Sequence, residues 1–136
     1  MELKRVVVTG LGALTPIGNN ISEYWEGLKH GKSGAAPITY FDTSLFKTKF
    51  ACEIKNFDAK DYFDRKEVRR LDRFAQYALV ASDEAILDAK LNLDEINKLR
   101  VGVIWGAGIG GLETFQNEVL NFAQGDGTPR FNRLFM

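Results

Sequence analysis

The sequence contains very little cysteine and histidine: Cys52 and His30 are the only residues of their kinds in a chain of 136. A single cysteine excludes a disulfide within the chain, and one thiol with one imidazole does not supply the ligands of a zinc site. We therefore expect no metal and no cofactor. Cys52 shares a predicted strand face with apolar neighbours, so we predict a small core residue rather than a nucleophile. His30 is predicted to face solvent at a helix end, and the sequence shows no complete catalytic constellation.

The sequence also lacks net charge, long apolar runs and a signal peptide. Its 18 basic and 18 acidic residues cancel, so no overall positive field favours nucleic acid. The apolar runs are too short to cross a bilayer. The N-terminus has no apolar region followed by a small-residue cleavage site. We expect a cytoplasmic protein that binds no nucleic acid and does not insert into a membrane.

What the sequence does contain is the composition of a folded α/β protein. It is 45% hydrophobic and 26% charged, which is typical of a globular chain. Consecutive β-branched residues predict strands at 3–9 and 101–105 that are covered on both faces, as in a parallel sheet. Alternation predicts a shorter strand at 50–54. Helical spacing and capping residues predict helices at 20–31, 64–90 and 112–123.

The chain ends on the apolar residues Leu134, Phe135 and Met136. An apolar terminus leaves surface that a complete domain normally buries, and two parallel-type strands need more sheet than this chain supplies. We therefore expect a front part of a longer protein, or a chain that depends on partner chains. The alternative is a compact domain whose last residues dock on its own core.

The first glycine-rich segment is "VVVTGLGALTPIG" at 6–18. Gly10 and Gly12 begin like the phosphate-binding fingerprint of dinucleotide-binding folds. Thr15 stands where the third glycine belongs, however, and the next helix cap comes only at Asn20. A helix that starts so late does not direct its amides at a pyrophosphate held by the two glycines. We predict that this segment binds no dinucleotide.

The second glycine-rich segment, "GAGIGG" at 106–111, matches the same fingerprint at every position, and Asp126 lies roughly where a ribose-binding acid would fall. One hypothesis is therefore a Rossmann-type oxidoreductase that binds NAD(P). Against it, Asp126 follows the tail of a predicted helix rather than a strand. The other hypothesis is that small residues let the backbone pass close to another element or to a ligand chain. We favour the ligand chain, with Ile109 as the one bulky side chain placed to gate a cavity.

Basic residues gather where the long predicted helix begins. Lys66, Arg69, Arg70 and Arg73 are spaced to share one helix face. Cations at a helix N-terminus oppose the helix dipole. One interpretation is an ordinary solvated face with ion pairs along the helix. The other is a docking patch for an acidic or phosphorylated partner, whose encounter the charge would speed.

Four stretches taken together, in this order, resemble the start of the β-ketoacyl-acyl-carrier-protein synthases, the condensing enzymes of fatty-acid elongation. They are "RVVVTGLGALTPIGNN", "FDTSLFKTKFACEIKNF", "RKEVRRLDRFAQYAL" and "VGVIWGAGIGGL". The likeness is nearest to the type II branch, and it spans about the first third of a typical member. It implies a thiolase-like fold of layered αβαβα type, an obligate homodimer, and condensation of an acyl-enzyme with malonyl-acyl-carrier protein.

The resemblance also implies roles for individual residues. Ile109 matches the isoleucine that gates the acyl pocket, and Phe135 resembles the phenylalanine that reaches into the partner subunit's pocket, although "RLF" stands here where the family usually has "PFF". Four basic residues resemble positions that dock acyl-carrier protein: Lys66, Arg69, Arg70 and Arg130, with Arg133 as the alternative to Arg130. The family's nucleophilic cysteine, histidines and lysine lie beyond Met136, so this chain alone is predicted to be inactive. A non-catalytic partner subunit that binds carrier protein is the remaining alternative.

Overall fold

The structure is a computed structural model that describes residues 3–128 and Arg130. Two compact units are present. The first runs to Phe57 and resumes from Val80 to Arg100, and the second holds Asp58–Leu79 and the described residues from Val101 onward. The elements in chain order are α1 (Ile21–Lys29), β1 (Ala36–Pro37), β2 (Phe50–Ala51), a 3₁₀ turn (Ala59–Asp61), α2 (Arg65–Arg70), α3 (Arg73–Asp88), a second 3₁₀ turn (Lys98–Arg100) and α4 (Leu112–Gln124).

Helices and a sheet occur together, which confirms the predicted α/β class. The two strands predicted at 3–9 and 101–105 are wrong, because neither segment forms a strand among the described residues. Their apolar side chains are exposed, Val6 by 89% and Val103 by 87%. A strand needs neighbouring strands to receive its backbone hydrogen bonds, and the sheet that the described residues form has two strands only, β1 and β2.

The strand predicted at 50–54 forms, but it is shorter than expected. β2 pairs with β1 in antiparallel fashion, with Ala36 opposite Ala51 and Pro37 opposite Phe50. Cys52 lies just beyond this pairing and is exposed, so its prediction as a core residue is wrong. The pairing spans two residues on each strand, and a sheet this short does not bury alternate side chains by itself.

Helix α1 forms where the capping residues predict it. The Asn20 side chain accepts a hydrogen bond from the Glu23 backbone N–H at 2.8 Å. The Glu23 carboxylate reaches back to the amide of Asn19 at 2.8 Å, one residue earlier than a capping box requires. Gly31, with φ of +60°, lies just past the helix end, where the left-handed conformation favours glycine.

The long helix predicted at 64–90 is wrong in one respect: it is broken into α2 and α3. The capping box between Asp64 and Glu67 is present and begins α2 as expected. The backbone then becomes extended at Leu71, with φ −91° and ψ 123°. The side chain of Gln76, only 8% exposed, donates to the carbonyl of Leu71 at 2.9 Å. A side-chain hydrogen bond from five residues further along the chain thus satisfies a backbone group that a continuous helix would have used.

In the first unit, the segment around Gly10 and Gly12 passes directly against the later turns of α3. A Cβ at Gly12 would lie 2.8 Å from the backbone nitrogen of Ala85. A Cβ at Gly10 would lie 2.6 Å from the backbone nitrogen of Ala89. These glycines therefore have a packing role, because only a residue without a side chain fits between two backbones at this distance.

Helix α4 forms close to its predicted bounds. Gly111 precedes it in the left-handed conformation, with φ of +70°. In the part of the chain that the structure describes, no helix combines the length and apolar character needed to cross a membrane.

Candidate functional site

The backbone amides of the first glycine-rich segment are bonded to carboxylates. Leu11 N–H donates to Asp88 at 2.9 Å, and Ala13 N–H donates to Glu84 at 2.8 Å. The other oxygen of Glu84 accepts from the N–H of Ile21, the first residue of α1, at 2.7 Å. Amides that already face two carboxylates offer a phosphate a repulsive environment. The geometry agrees with the expectation that no dinucleotide binds here.

The second glycine-rich segment lacks the structural context of the dinucleotide fingerprint. No strand leads directly into it, because the described residues 101–105 form none. Asp126 lies in the turn after α4, where a hydrogen bond from the Thr128 backbone N–H lowers the pKa of its carboxyl group. The same carboxylate pairs with Arg130 at 3.0 Å. An acid that closes a local turn in this way is not placed at the end of a strand to hold a ribose.

The glycines of this segment have two different surroundings. An added Cβ at Gly106 or Gly108 would meet no atom within 4 Å among the described residues. A Cβ at Gly110 would lie 3.0 Å from the ring of Phe74, so Gly110 packs flat against that ring. Ile109, between them, is 76% exposed. One side of the segment is therefore anchored on α3, and the other is open around the side chain of Ile109.

Lys66, Arg69 and Arg70 form what we call the basic patch, on α2. All three side chains are exposed. None of them forms an ion pair within 4.0 Å with any residue that the structure describes. Because α2 ends at Arg70, the two arginines lie in the last turn of a helix, where the dipole favours cations. The expectation that they oppose the dipole assumed an unbroken helix and is wrong.

Arg73 does not belong to the basic patch. It is the first residue of α3, beyond the break, and its guanidinium lies 3.5 Å from the carboxylate of Glu113 on α4. The predicted face of four cations required one continuous helix, so the structure reduces it to three. Arg130, predicted to extend the patch, is exposed and paired with Asp126. Phe135 and Arg133 lie outside the described residues.

Three residues that the sequence analysis missed join α2, α3 and α4 in the second unit. Asp72, in the break, accepts hydrogen bonds from both the N–H and the Oγ1 of Thr114. Gln76 closes the end of α2, as described above. The signal for Asp72 was present, since an aspartate directly before a helical run is a common helix start. No sequence pattern identifies its partner on α4, Thr114.

Cys52 and His30 show no catalytic environment. The Cys52 thiol is exposed, and the His30 ring nitrogen Nδ1 lies 2.8 Å from the carbonyl of Glu26 at the end of α1. The prediction that His30 faces solvent at a helix end is confirmed. Among residues 3–128 and 130, no group of three or more His, Cys, Asp or Glu side chains is placed to hold a metal ion.

Comparison with known proteins supports a single family. The profile of the family described as "Beta-ketoacyl synthase, N-terminal domain" matches residues 3–134. The chain is 52% identical over 118 residues to a protein of Synechocystis sp. named 3-oxoacyl-[acyl-carrier-protein] synthase 2, and 50% identical over 113 residues to one of the same name from Staphylococcus aureus. These alignments cover 87% and 83% of this chain but only 28% and 27% of the relatives.

A solved structure of a β-ketoacyl synthase from Burkholderia phymatum is similar to the chain with a TM-score of 0.74 and 28% identity. The similarity covers 98% of this chain and 33% of that protein. It confirms the predicted thiolase-like α/β fold class, and it does not favour the Rossmann alternative. The chain thus spans roughly the first third or less of the proteins it resembles, and it belongs to the β-ketoacyl synthase family as a match to that family's N-terminal domain.

Proposed function

We propose that this chain is the N-terminal portion of a type II β-ketoacyl-acyl-carrier-protein synthase of fatty-acid elongation. The observation that carries the proposal is the 52% identity over 118 residues to a 3-oxoacyl-[acyl-carrier-protein] synthase 2. In the reaction, an enzyme thiolate takes the acyl group and releases the carrier's thiol. Malonyl-acyl-carrier protein then loses CO₂, and its carbanion attacks the acyl-enzyme, which forms the new C–C bond and frees the thiolate.

The contribution of this chain is to bind substrates rather than to react with them. The one cysteine of the sequence, Cys52, is an exposed residue directly after the short strand β2. The residues 1–136 alone are therefore proposed to be catalytically inactive. The nucleophile and its activating groups belong to the remainder of the synthase.

The basic patch is proposed to dock acyl-carrier protein. Three exposed cations that form no ion pair with the described residues leave positive charge at the surface. Such charge raises the encounter rate with an acidic partner and fixes its orientation. Arg130 is proposed to add to this surface, because its pair with Asp126 is exposed to solvent, where ion pairs are weak.

Ile109 is proposed to gate the acyl pocket, with Phe135 reaching in from the partner subunit of a homodimer. The support for Ile109 is its position between glycines that leave open space on one side. A bulky side chain in such a segment can turn without meeting its own neighbours. The exposed apolar side chains at 101–105 support an assembled state, because apolar surface of this kind is normally covered. A cytoplasmic location is part of the same proposal.

The test reverses two charges of the basic patch in the purified synthase that carries this chain. The double variant Arg69→Glu and Arg70→Glu should raise the KM for acyl-carrier-protein substrates about tenfold at low salt and lose most of that effect near 1 M salt, where screening acts over roughly 3 Å. The matched control is Lys98→Glu with Arg100→Glu, which changes the net charge equally at an exposed 3₁₀ turn. An equal rise in KM for both pairs would contradict a specific dock.

Product formation by the whole purified protein that carries this chain, without substitutions, decides between the proposal and a non-catalytic partner subunit. A synthase releases CO₂ from malonyl-acyl-carrier protein and yields the 3-oxoacyl product. Binding of carrier protein at the patch without acylation or condensation would instead identify a partner subunit.

A further inference from the structure

The second unit contains a junction at which α2, α3 and α4 meet. Asp72 lies between α2 and α3, and its carbonyl accepts the first hydrogen bonds of α3, from Ala75 and Gln76 at 3.0 and 3.1 Å. Its carboxylate accepts from the backbone N–H and the hydroxyl of Thr114, the third residue of α4. One residue thus accepts the first hydrogen bonds of α3 with its backbone carbonyl and contacts the start of α4 with its side chain.

Two further contacts join the same helix starts. Arg73 faces Glu113 at 3.5 Å, and the ring of Phe74 lies where a Cβ added at Gly110 would come within 3.0 Å of it. Three consecutive residues, Asp72 and the first two residues of α3, therefore contact Gly110 and the first turn of α4. Because Gly110 has no side chain to keep it apart from the ring, a shift of Phe74 is passed directly to the backbone next to Ile109.

The basic patch is attached to the same junction from the other side. Gln76 is buried and donates to the carbonyls of Leu71 and Val68, at 2.9 and 3.4 Å, which closes the last turn of α2. Arg69 and Arg70 lie in that turn. A partner that binds the two arginines therefore contacts the end of α2. That end is hydrogen-bonded to α3 within a few residues of Asp72.

We propose that Asp72 and Thr114 are positioning residues that couple the docking of acyl-carrier protein at the basic patch to the position of Ile109. The inference rests on the proposed function. Hydrogen bonds to a carboxylate are strong and directional, so the bond between Asp72 and Thr114 keeps α4 and its preceding glycines in register with α3. When docking shifts α2, the Ile109 segment therefore moves with it. Without the bond between Asp72 and Thr114, α2 would shift and the Ile109 segment would stay in place.

The test is Thr114→Val, which keeps the shape of the side chain and removes its hydroxyl, in the purified synthase. Acylation of the enzyme is measured with two donors of the same acyl group: acyl-carrier protein, and the acyl N-acetylcysteamine thioester, which has no protein to dock. For the carrier-bound donor, kcat should fall about fivefold to tenfold, with its KM within about twofold of the unaltered protein. For the small thioester, both constants should stay within about twofold. Thr114→Ser keeps the hydroxyl and should restore the rate with carrier protein.

Three results would overturn the inference. An equal loss with both donors would show that Thr114 merely supports the pocket. A raised KM for carrier protein alone would show that it supports the patch. Unaltered rates in a folded Thr114→Val protein would show that the bond transmits nothing. Failure of the proposed function is separate, because it requires that the unaltered synthase itself accept no acyl group from carrier protein.

Discussion

The carboxylate of Glu84 offers the sharpest test of how the first glycine-rich segment is held. One oxygen accepts from Ala13 N–H at 2.8 Å and the other from Ile21 N–H at 2.7 Å. In Glu84→Gln, an NH₂ group replaces one oxygen, so one of the two backbone donors faces another donor in either amide orientation. Hydrogen bonds to a charged group contribute about 1.5–3 kcal/mol each. Loss of one bond and weakening of the other should cost about 2 kcal/mol, or roughly thirtyfold in local opening.

Amide hydrogen exchange of the purified protein measures this opening directly, at the amides of Ala13 and Ile21. The matched control is Asp83→Asn, which removes the same charge from the neighbouring residue of α3. The Asp83 side chain is exposed and makes no hydrogen bond with the described residues. Glu84→Gln should speed exchange at both amides about thirtyfold, and Asp83→Asn should leave it within about twofold. Equal exchange in the two variants would refute the assignment of these amides to Glu84.

Two further substitutions test the packing and the gate. Gly12→Ala should lower the free energy of unfolding by about 1–3 kcal/mol, because the new Cβ meets α3 backbone atoms that cannot move aside. Thermal unfolding measures this loss, with Gly102→Ala as the control at a position where the space is open. Equal unfolding midpoints for the two variants would contradict the close approach of Gly12 to α3. Ile109→Phe in the synthase should block long acyl donors and spare short ones, since a larger side chain narrows a gate. The profile of rate against acyl length measures this, Ile109→Val is the control, and an unchanged profile would remove Ile109 from the gate.

The helices show where sequence patterns predict structure well. Helix α1 begins at the Asn20 cap, and α4 follows the glycine at 111, both as expected. The backbone hydrogen bonds of a helix form between residues four apart, and its capping side chains bond backbone groups two or three residues away. The chain's local order therefore contains nearly all the information that these elements need.

The predicted strands show the opposite case. The valines at 6–8 have the composition of a buried strand, yet they are exposed and form no ladder. Their hydrogen bonds depend on other segments beside them, and β-propensity is mainly a measure of fit to such neighbours. The same dependence explains Cys52, whose predicted burial assumed a covered strand.

The candidate site divides along the same line. The basic run on α2 and the bulky Ile109 among glycines are visible in the sequence, because residue type and spacing are enough to identify them. That Arg73 leaves the basic patch is not visible, because the helix break depends on hydrogen bonds made by Gln76 and Asp72 after folding.

By itself, the sequence determined the family and the α/β class, through the order of motifs along the chain. It also determined the capped helices and the three cations of the basic patch, since each of these depends on residues close together in the chain. The tertiary structure alone decided what the glycine-rich segments contact. Glu84 reaches the amide of Ala13 across 71 positions, and Asp72 reaches Thr114 across 42. Contacts between residues so far apart depend on how the backbone folds back on itself. The local spacing of apolar and polar residues does not predict them.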